Sequence, residues 1–309
     1  MTTPTRKVLS YGGGLDSFAM LLDALTRGEK PDAVVFCDVA DGTAEREGVD
    51  PGEWPSTYRH MREVVMPICA REGVEFVWLS SDMVPMRDGH RSLFAWMKSR
   101  NNIPVAGPSR VCTPIAKTER FEAWCNTRFP GETVEVWIGF EAGEEDRADK
   151  DPNAGKTRRP RKLKPGQLAP SVRVNRFPLI ERGLCRCRCV ELVRAAGLPV
   201  PRKSACTFCP YASKRDWQTL ARELPETFAT IVQLEADKPP TAKNGLKLSI
   251  MGYRTQKNAD GTKTAKPKAL PVFIQGTYRA KVTPCTVCGA ADRATKATGC
   301  DYLPDEKAA

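Results

Sequence analysis

Three consecutive glycines between an apolar strand and an apolar helix constrain this chain more than any other feature. Lys7 to Tyr11 (KVLSY) reads as a short buried strand, and Gly12, Gly13 and Gly14 follow at once. Leu15, Phe18, Leu21, Leu22 and Leu25 then recur at helical spacing until Gly28 stops the pattern. Glycine lets the backbone turn tightly and bring several N–H groups to one ligand. The helix N-terminus adds unpaired donors and partial positive charge, so strand, glycine loop and helix together predict a phosphate seat. Ser17 adds a hydroxyl at the same end. Two common phosphate loops do not fit. GxxxxGK followed by Ser or Thr lacks its lysine, and GxGxxG meets Ser17 where its third glycine belongs. The plainer reading is a tight βα turn, and what weighs against it lies downstream.

Ala33 to Val39 (AVVFCDV) is a second apolar strand with Asp38 at its end, where open α/β sheets place ligand-contacting residues. Val74 to Ser80 (VEFVWLS) and Val134 to Phe140 (VEVWIGF) read as further strands, with a helical pattern over Met61, Val64, Val65 and Ile68 between. This alternation predicts an α/β fold with a doubly wound parallel sheet over residues 1–195. A cysteine-rich, mostly helical or irregular region is expected over 196–309, with a helix at 225–237. The 309 residues contain no run of 18 apolar side chains, and the polar start shows no secretory signal, so a cytoplasmic chain without membrane contact is expected. A formal charge of +11 favours a polyanionic or phosphorylated partner. Six of the nine residues at 156–164 are basic, and a lysine-rich stretch at 238–268 reads as poorly ordered or as a hairpin.

The ordered segments SYGGGLDS (10–17), VVFCDV (34–39), EWPSTYRH (53–60), SRVCTPIAK (109–117), IGFEAGEEDR (138–147), FPLIERG (177–183) and PVPRKSACTFCPYASKRDW (199–217) resemble the phosphoadenylylsulfate (PAPS) reductase-like branch of the PP-loop ATP pyrophosphatase superfamily. Gly12 stands where the SGGxDS loop has its first serine, and Ser10 lies two residues upstream. The resemblance implies the adenine nucleotide alpha hydrolase-like fold, with ATP or PAPS bound together with Mg²⁺. Ser10, Gly12, Gly13, Gly14, Asp16 and Ser17 would hold the phosphates, Asp38 would lie near the adenosine, and Arg110, Lys117 and Arg147 would supply positive charge. Asp16 and Lys117 are the implied catalytic residues, Asp16 through the magnesium ion. The Glu-Cys-Gly tail of true PAPS reductases is missing, the nearest match being Val287-Cys288-Gly289. Two chemistries therefore stay open: sulfonucleotide reduction, and adenylation with release of pyrophosphate so that sulfur or nitrogen displaces AMP. A second reading is a catalytically silent, metal-stabilised nucleic-acid-binding protein on the same scaffold, with tRNA or DNA as partner.

Twelve cysteines without a secretory signal point to metal binding or redox chemistry rather than disulfides. Cys206-Thr207-Phe208-Cys209-Pro210 is a CxxC whose thiolates can bite one metal ion. With Cys112, in the other cysteine segment of the resemblance, the pair would hold a 4Fe–4S cluster or zinc. Of Cys185, Cys187 and Cys189, the last is the expected fourth ligand, and the other two are expected in ordinary packing. Cys285, Cys288 and Cys300 form a second possible metal set with only three ligands. Cys37, Cys69 and Cys125 read as small core residues. His60 and His90 are expected in solvated or capping roles.

Overall fold

The computed structural model describes residues 5–40, 50–106, 111–155, 169–240, 248–257, 260–261, 263–277 and 285–289. The chain begins with β1 (Thr5–Tyr11), α1 (Leu15–Thr26) and β2 (Ala33–Cys37). A helical stretch follows, formed by α2 (Pro55–His60), a π-helical turn (Met61–Val65) and α3 (Met66–Glu72), where Gly73 ends it in the left-handed conformation. Next come β3 (Glu75–Leu79), α4 (Leu93–Ser99), a π-helical turn (Pro114–Thr118) running into α5 (Glu119–Arg128), and β4 (Thr133–Ile138). The short α6 (Glu145–Ala148), β5 (Val172–Arg176), α7 (Pro178–Glu181) and α8 (Arg186–Ala195) complete the first part. Beyond it lie α9 (Lys214–Glu223), α10 (Pro225–Asp237), the hairpin strands β6 (Tyr253–Lys257) and β7 (Lys263–Pro267), and α11 (Leu270–Phe273).

Five strands pair in the order β3-β2-β1-β4-β5, all parallel. The period-two alternation of a strand buried on both faces is visible residue by residue. Leu9, Val34 and Phe36 face a core built with α1, α3 and α8, while Val8, Val35 and Cys37 face one built with Phe121, Trp124 and Cys125 of α5. Helices thus cover both faces, and the expected doubly wound α/β sheet is present. β5 carries the sheet one strand beyond those legible in the sequence. Its VRVNR pattern is charged and only its Asn175 is buried, so it lacks an apolar run.

A third core lies past the strand ends. It joins Val39, Trp54, Met86, Leu93, Phe94 and Ile115 to Phe208, Trp217, Leu220, Ile231, Leu234, Ile250 and Leu270. The described part of residues 196–309 therefore shares its core with the segment 39–116. Glu235, buried on α10, fastens this region. Its carboxylate accepts from Ser249 Oγ (2.8 Å), Ile250 N (2.9 Å) and Leu270 N (2.9 Å). Part of the lysine-rich stretch forms the antiparallel β6–β7 hairpin. The basic run at 156–164 lies outside the described residues. No described helix is long and apolar enough to cross a membrane.

Candidate functional site

The strand order reverses between β1 and β4, and the region beyond the strand ends at such a point is where doubly wound sheets bind ligands. The glycine loop leaves β1 at this point. Gly13 takes φ +78°, and a Cβ on it would lie 2.7 Å from Thr57 Cγ2, so both conformation and space demand glycine. No side chain caps the N-terminus of α1, whose N-cap is Gly14. The Ser17 hydroxyl is turned inward, accepting from Gly12 N (3.2 Å) and donating to Gly14 O (3.1 Å). Ser17 therefore sets the loop shape. Ser10 sits within β1, in register with Val35 and Ile138. Gly139, after β4, approaches so closely that an added Cβ would stand 3.0 Å from Ser17 N.

Asp16 lies in the first turn of α1. One carboxylate oxygen meets Arg186 at 3.2 Å, and the other, Oδ1, is buried without a hydrogen-bond partner. Burial pushes this carboxyl above its ordinary range, only partly offset by Arg186. Glu141 accepts from Arg186 N (3.0 Å). Burial, with the neighbouring Asp16 and Glu144 adding, raises Glu141 to about 7 despite that hydrogen bond. Arg147 pairs with Glu144 and stacks 4.2 Å over the Phe140 ring. An acidic group around one unsatisfied oxygen is the donor chemistry that suits a hard divalent cation, so these residues fit magnesium.

The segment at 199–217 folds back over this loop. A Cβ on Gly14 would lie 2.8 Å from Ser204 Oγ and 3.1 Å from Ser204 N. Beside it opens a cavity of about 210 Å³, lined by Trp54, Cys112, Lys117, Lys203, Cys206 and Cys209 among others. Four of the sequence segments singled out above meet around it. Glu53 bridges Cys206 in an isolated antiparallel pairing and takes an ion pair from Lys117 at 3.2 Å, while Thr207 N donates to Gly52 O at 2.7 Å. Desolvation opposes the charge on Lys117, but the Glu53 carboxylate outweighs it and holds the ammonium above its ordinary value. Arg202 stacks 3.4 Å over the Trp54 ring and pairs with Asp216 at 3.4 Å. Cys206 donates to Cys209, which lowers Cys209 to about 7 and raises Cys206.

Several expected residues are placed differently. Asp38 ends β2 as foreseen, but Oδ1 accepts from Tyr58 Oη (2.8 Å) and Ala40 N (3.0 Å), and Oδ2 accepts from Trp78 Nε1 (2.9 Å). It is fully buried, with its carboxylate oxygens engaged by these protein donors. Arg110 and Cys300 lie outside the described residues. Cys112 shares the cavity with Cys206 and Cys209 but does not close a three-sulfur group with them. Cys189 is fully buried in the core with α1 and lies outside the group of four cysteines described below. His60 is buried, with Nε2 3.3 Å from Pro199 O, rather than solvated. Among the described residues, the one group of three or more ligand atoms lying within 4.8 Å of one another is Cys185, Cys187, Cys285 and Cys288, four cysteines that could hold a metal ion. The two cysteines assigned to ordinary packing thus complete the C-terminal set. The helix begins at Arg186, with Cys185 as its N-cap. The site also draws on Glu53, Lys203 and Ser204, whose only signal in the sequence is their place within the segments 53–60 and 199–217, and on Arg186, which lies between Cys185 and Cys187. No protein-family model and no curated protein matches the chain.

Proposed function

We propose that this chain is a nucleotide-dependent enzyme of the PP-loop type, binding ATP or PAPS with its phosphates on Gly12–Ser17 and acting in sulfur transfer or adenylation. One observation carries the reading. A glycine loop at the reversal point of a parallel sheet lies directly under the Ser204 segment, so a phosphate seat and a CxxC cavity adjoin. Asp16 would hold the magnesium ion through its unpartnered Oδ1, with Arg186 fixing the other oxygen. When bound, that ion neutralises phosphate charge. The loop N–H groups and the α1 N-terminus would orient the phosphates, and Lys203, near Asp16, adds a cation from the roof. Lys117, kept charged by Glu53, would face the reacting end in the cavity.

Calorimetric titration with ATP–Mg²⁺ and with PAPS tests this. One nucleotide should bind to the intact chain, and Asp16→Asn should weaken the magnesium-dependent component at least tenfold without lowering Tm. Preference for PAPS selects reduction, and preference for ATP selects adenylation. Binding of neither, or unchanged binding by Asp16→Asn, overturns the reading. Tight, salt-sensitive binding of RNA or DNA without nucleotide would then support a nucleic-acid-binding scaffold.

A further inference from the structure

Two short cysteine motifs a hundred residues apart meet behind the phosphate seat. Cys185 and Cys187 lie at the start of α8, and Cys285 and Cys288 lie on a turn that ends at Gly289. All four sulfurs lie within 4.8 Å of one another and none is in a disulfide. Sulfurs arranged tetrahedrally about one zinc ion, each about 2.3 Å from it, stand roughly 3.8 Å apart. The four cysteines are thus within a small adjustment of that geometry, and they stand closer together than ligands spread around a multi-iron core.

The backbone is shaped for the same purpose. Gly289 takes φ +70° and donates its N–H to Cys285 O at 2.9 Å, closing a Cys-Thr-Val-Cys-Gly knuckle. Within it the N–H groups of Val287 and Cys288 point at the Cys285 sulfur, and the N–H of Arg188 points at the Cys185 sulfur. Such donors stabilise negative charge on sulfur, as thiolate ligands require. Packing without metal does not explain the set, because Cys288 is exposed and Val287 beside it is 45% exposed.

We propose that Cys185, Cys187, Cys285 and Cys288 bind one zinc ion in a closed, structural four-thiolate site. This site is separate from the CxxC cavity and does not depend on the nucleotide reading. It has a definite place relative to the glycine loop. Arg186, between two of the ligands, donates its backbone N–H to Glu141 and its guanidinium to Asp16. The knuckle packs against the turn after β4, where a Cβ on Gly143 would lie 3.5 Å from Val287 Cγ2 and 3.8 Å from Thr286 Oγ1. Zinc would pin the 285–289 segment to α8 and so hold Arg186 toward Asp16.

The test is metal analysis of the full chain, purified in zinc-supplemented medium, beside the double variants Cys285→Ser/Cys288→Ser and Cys206→Ser/Cys209→Ser. The first variant should lose one equivalent of zinc relative to wild type, and the second should keep that equivalent. Cobalt titrated into the apo wild-type protein should give the intense visible bands and sulfur-to-metal charge transfer of tetrahedral four-thiolate coordination, a readout independent of how any variant folds. Zinc retained in full by Cys285→Ser/Cys288→Ser, several iron atoms per chain lost with that variant, or a cobalt spectrum without four thiolates would overturn the proposal.

Discussion

Arg120 is 1% exposed, and its guanidinium clamps backbone carbonyls. It donates to Val84 O (2.8 Å), Leu79 O (2.9 Å) and Asp38 O, tying the ends of β2 and β3 together under the cavity. Arg120→Met would take this donor from Val84 O and Asp38 O, while Leu79 O keeps Asp38 N. Each such loss costs about 1–3 kcal/mol, so a destabilisation of about 3 kcal/mol or more is expected in urea melts. A change below about 0.5 kcal/mol, the scale of an ordinary surface substitution, would contradict the clamp. His60 is a second buried group with a measurable consequence. Burial holds its pKa below the ordinary value, opposed by Pro199 O and Glu63, so the folded protein keeps it neutral. The unfolded chain takes up its proton below about pH 6.5, whereas the folded state does so only at lower pH. Its contribution is therefore intact above about pH 6.5 and is lost as pH falls toward the lowered folded value. His60→Gln, which can still donate to Pro199 O, should lose less stability than wild type between about pH 7.5 and about pH 5. Parallel pH profiles for the two proteins would refute the assignment.

At the scale of elements, the glycine loop shows how conformation and space combine. Gly28 and Gly13 share nearly the same positive φ, +72° and +78°, but a Cβ on Gly28 would meet nothing within 4 Å, whereas on Gly13 it would strike Thr57. Gly28→Ala should therefore cost only the left-handed strain, about 1 kcal/mol. Gly13→Ala should cost clearly more, by the roughly 1–3 kcal/mol of an overpacked site. Equal costs in chemical denaturation would mean that Thr57 yields freely. The position of α8 follows similar logic. Cys185 is its extended N-cap, and the first turn delivers Cys187 to the metal group while Cys189, Val190 and Val193 face the core.

The whole molecule is bound together by the core that joins residues 39–116 to 208–270. Trp54, Leu93, Phe94 and Ile115 would lose Phe208, Trp217 and Leu220 if the chain were cut at 195. Burial of large side chains is worth about 1.5–3 kcal/mol each, comparable in sum to the stability of a whole domain. Residues 1–195 alone should therefore fail to give a cooperative thermal transition by circular dichroism. A sharp melt from that fragment would establish an autonomous domain boundary there. Glu235→Ala tests the same union locally. Two buried backbone donors, Ile250 N and Leu270 N, would lose their acceptor while Ser249 Oγ keeps Lys268 O, and a loss of about 2–4 kcal/mol is expected. An effect within about 0.5 kcal/mol, as at an exposed site, would refute it.

Local features were legible from the amino-acid order alone because they are set by spacing. The four strands β1 to β4, the glycine turn, α10 and the parallel α/β class follow from apolar period and backbone permissiveness, which need only near neighbours. β5 was hidden because it interleaves two valines with Arg and Asn and so has no apolar run, and its membership is decided by pairing with β4. Partnership at long range was likewise invisible. Nothing in spacing couples Cys185 and Cys187 to Cys285 and Cys288, seats Ser204 over Gly14, or turns Asp38 inward to Tyr58 and Trp78. Those relations arise only when distant segments are packed against one another, because burial and hydrogen-bond satisfaction are settled by what surrounds a residue in space.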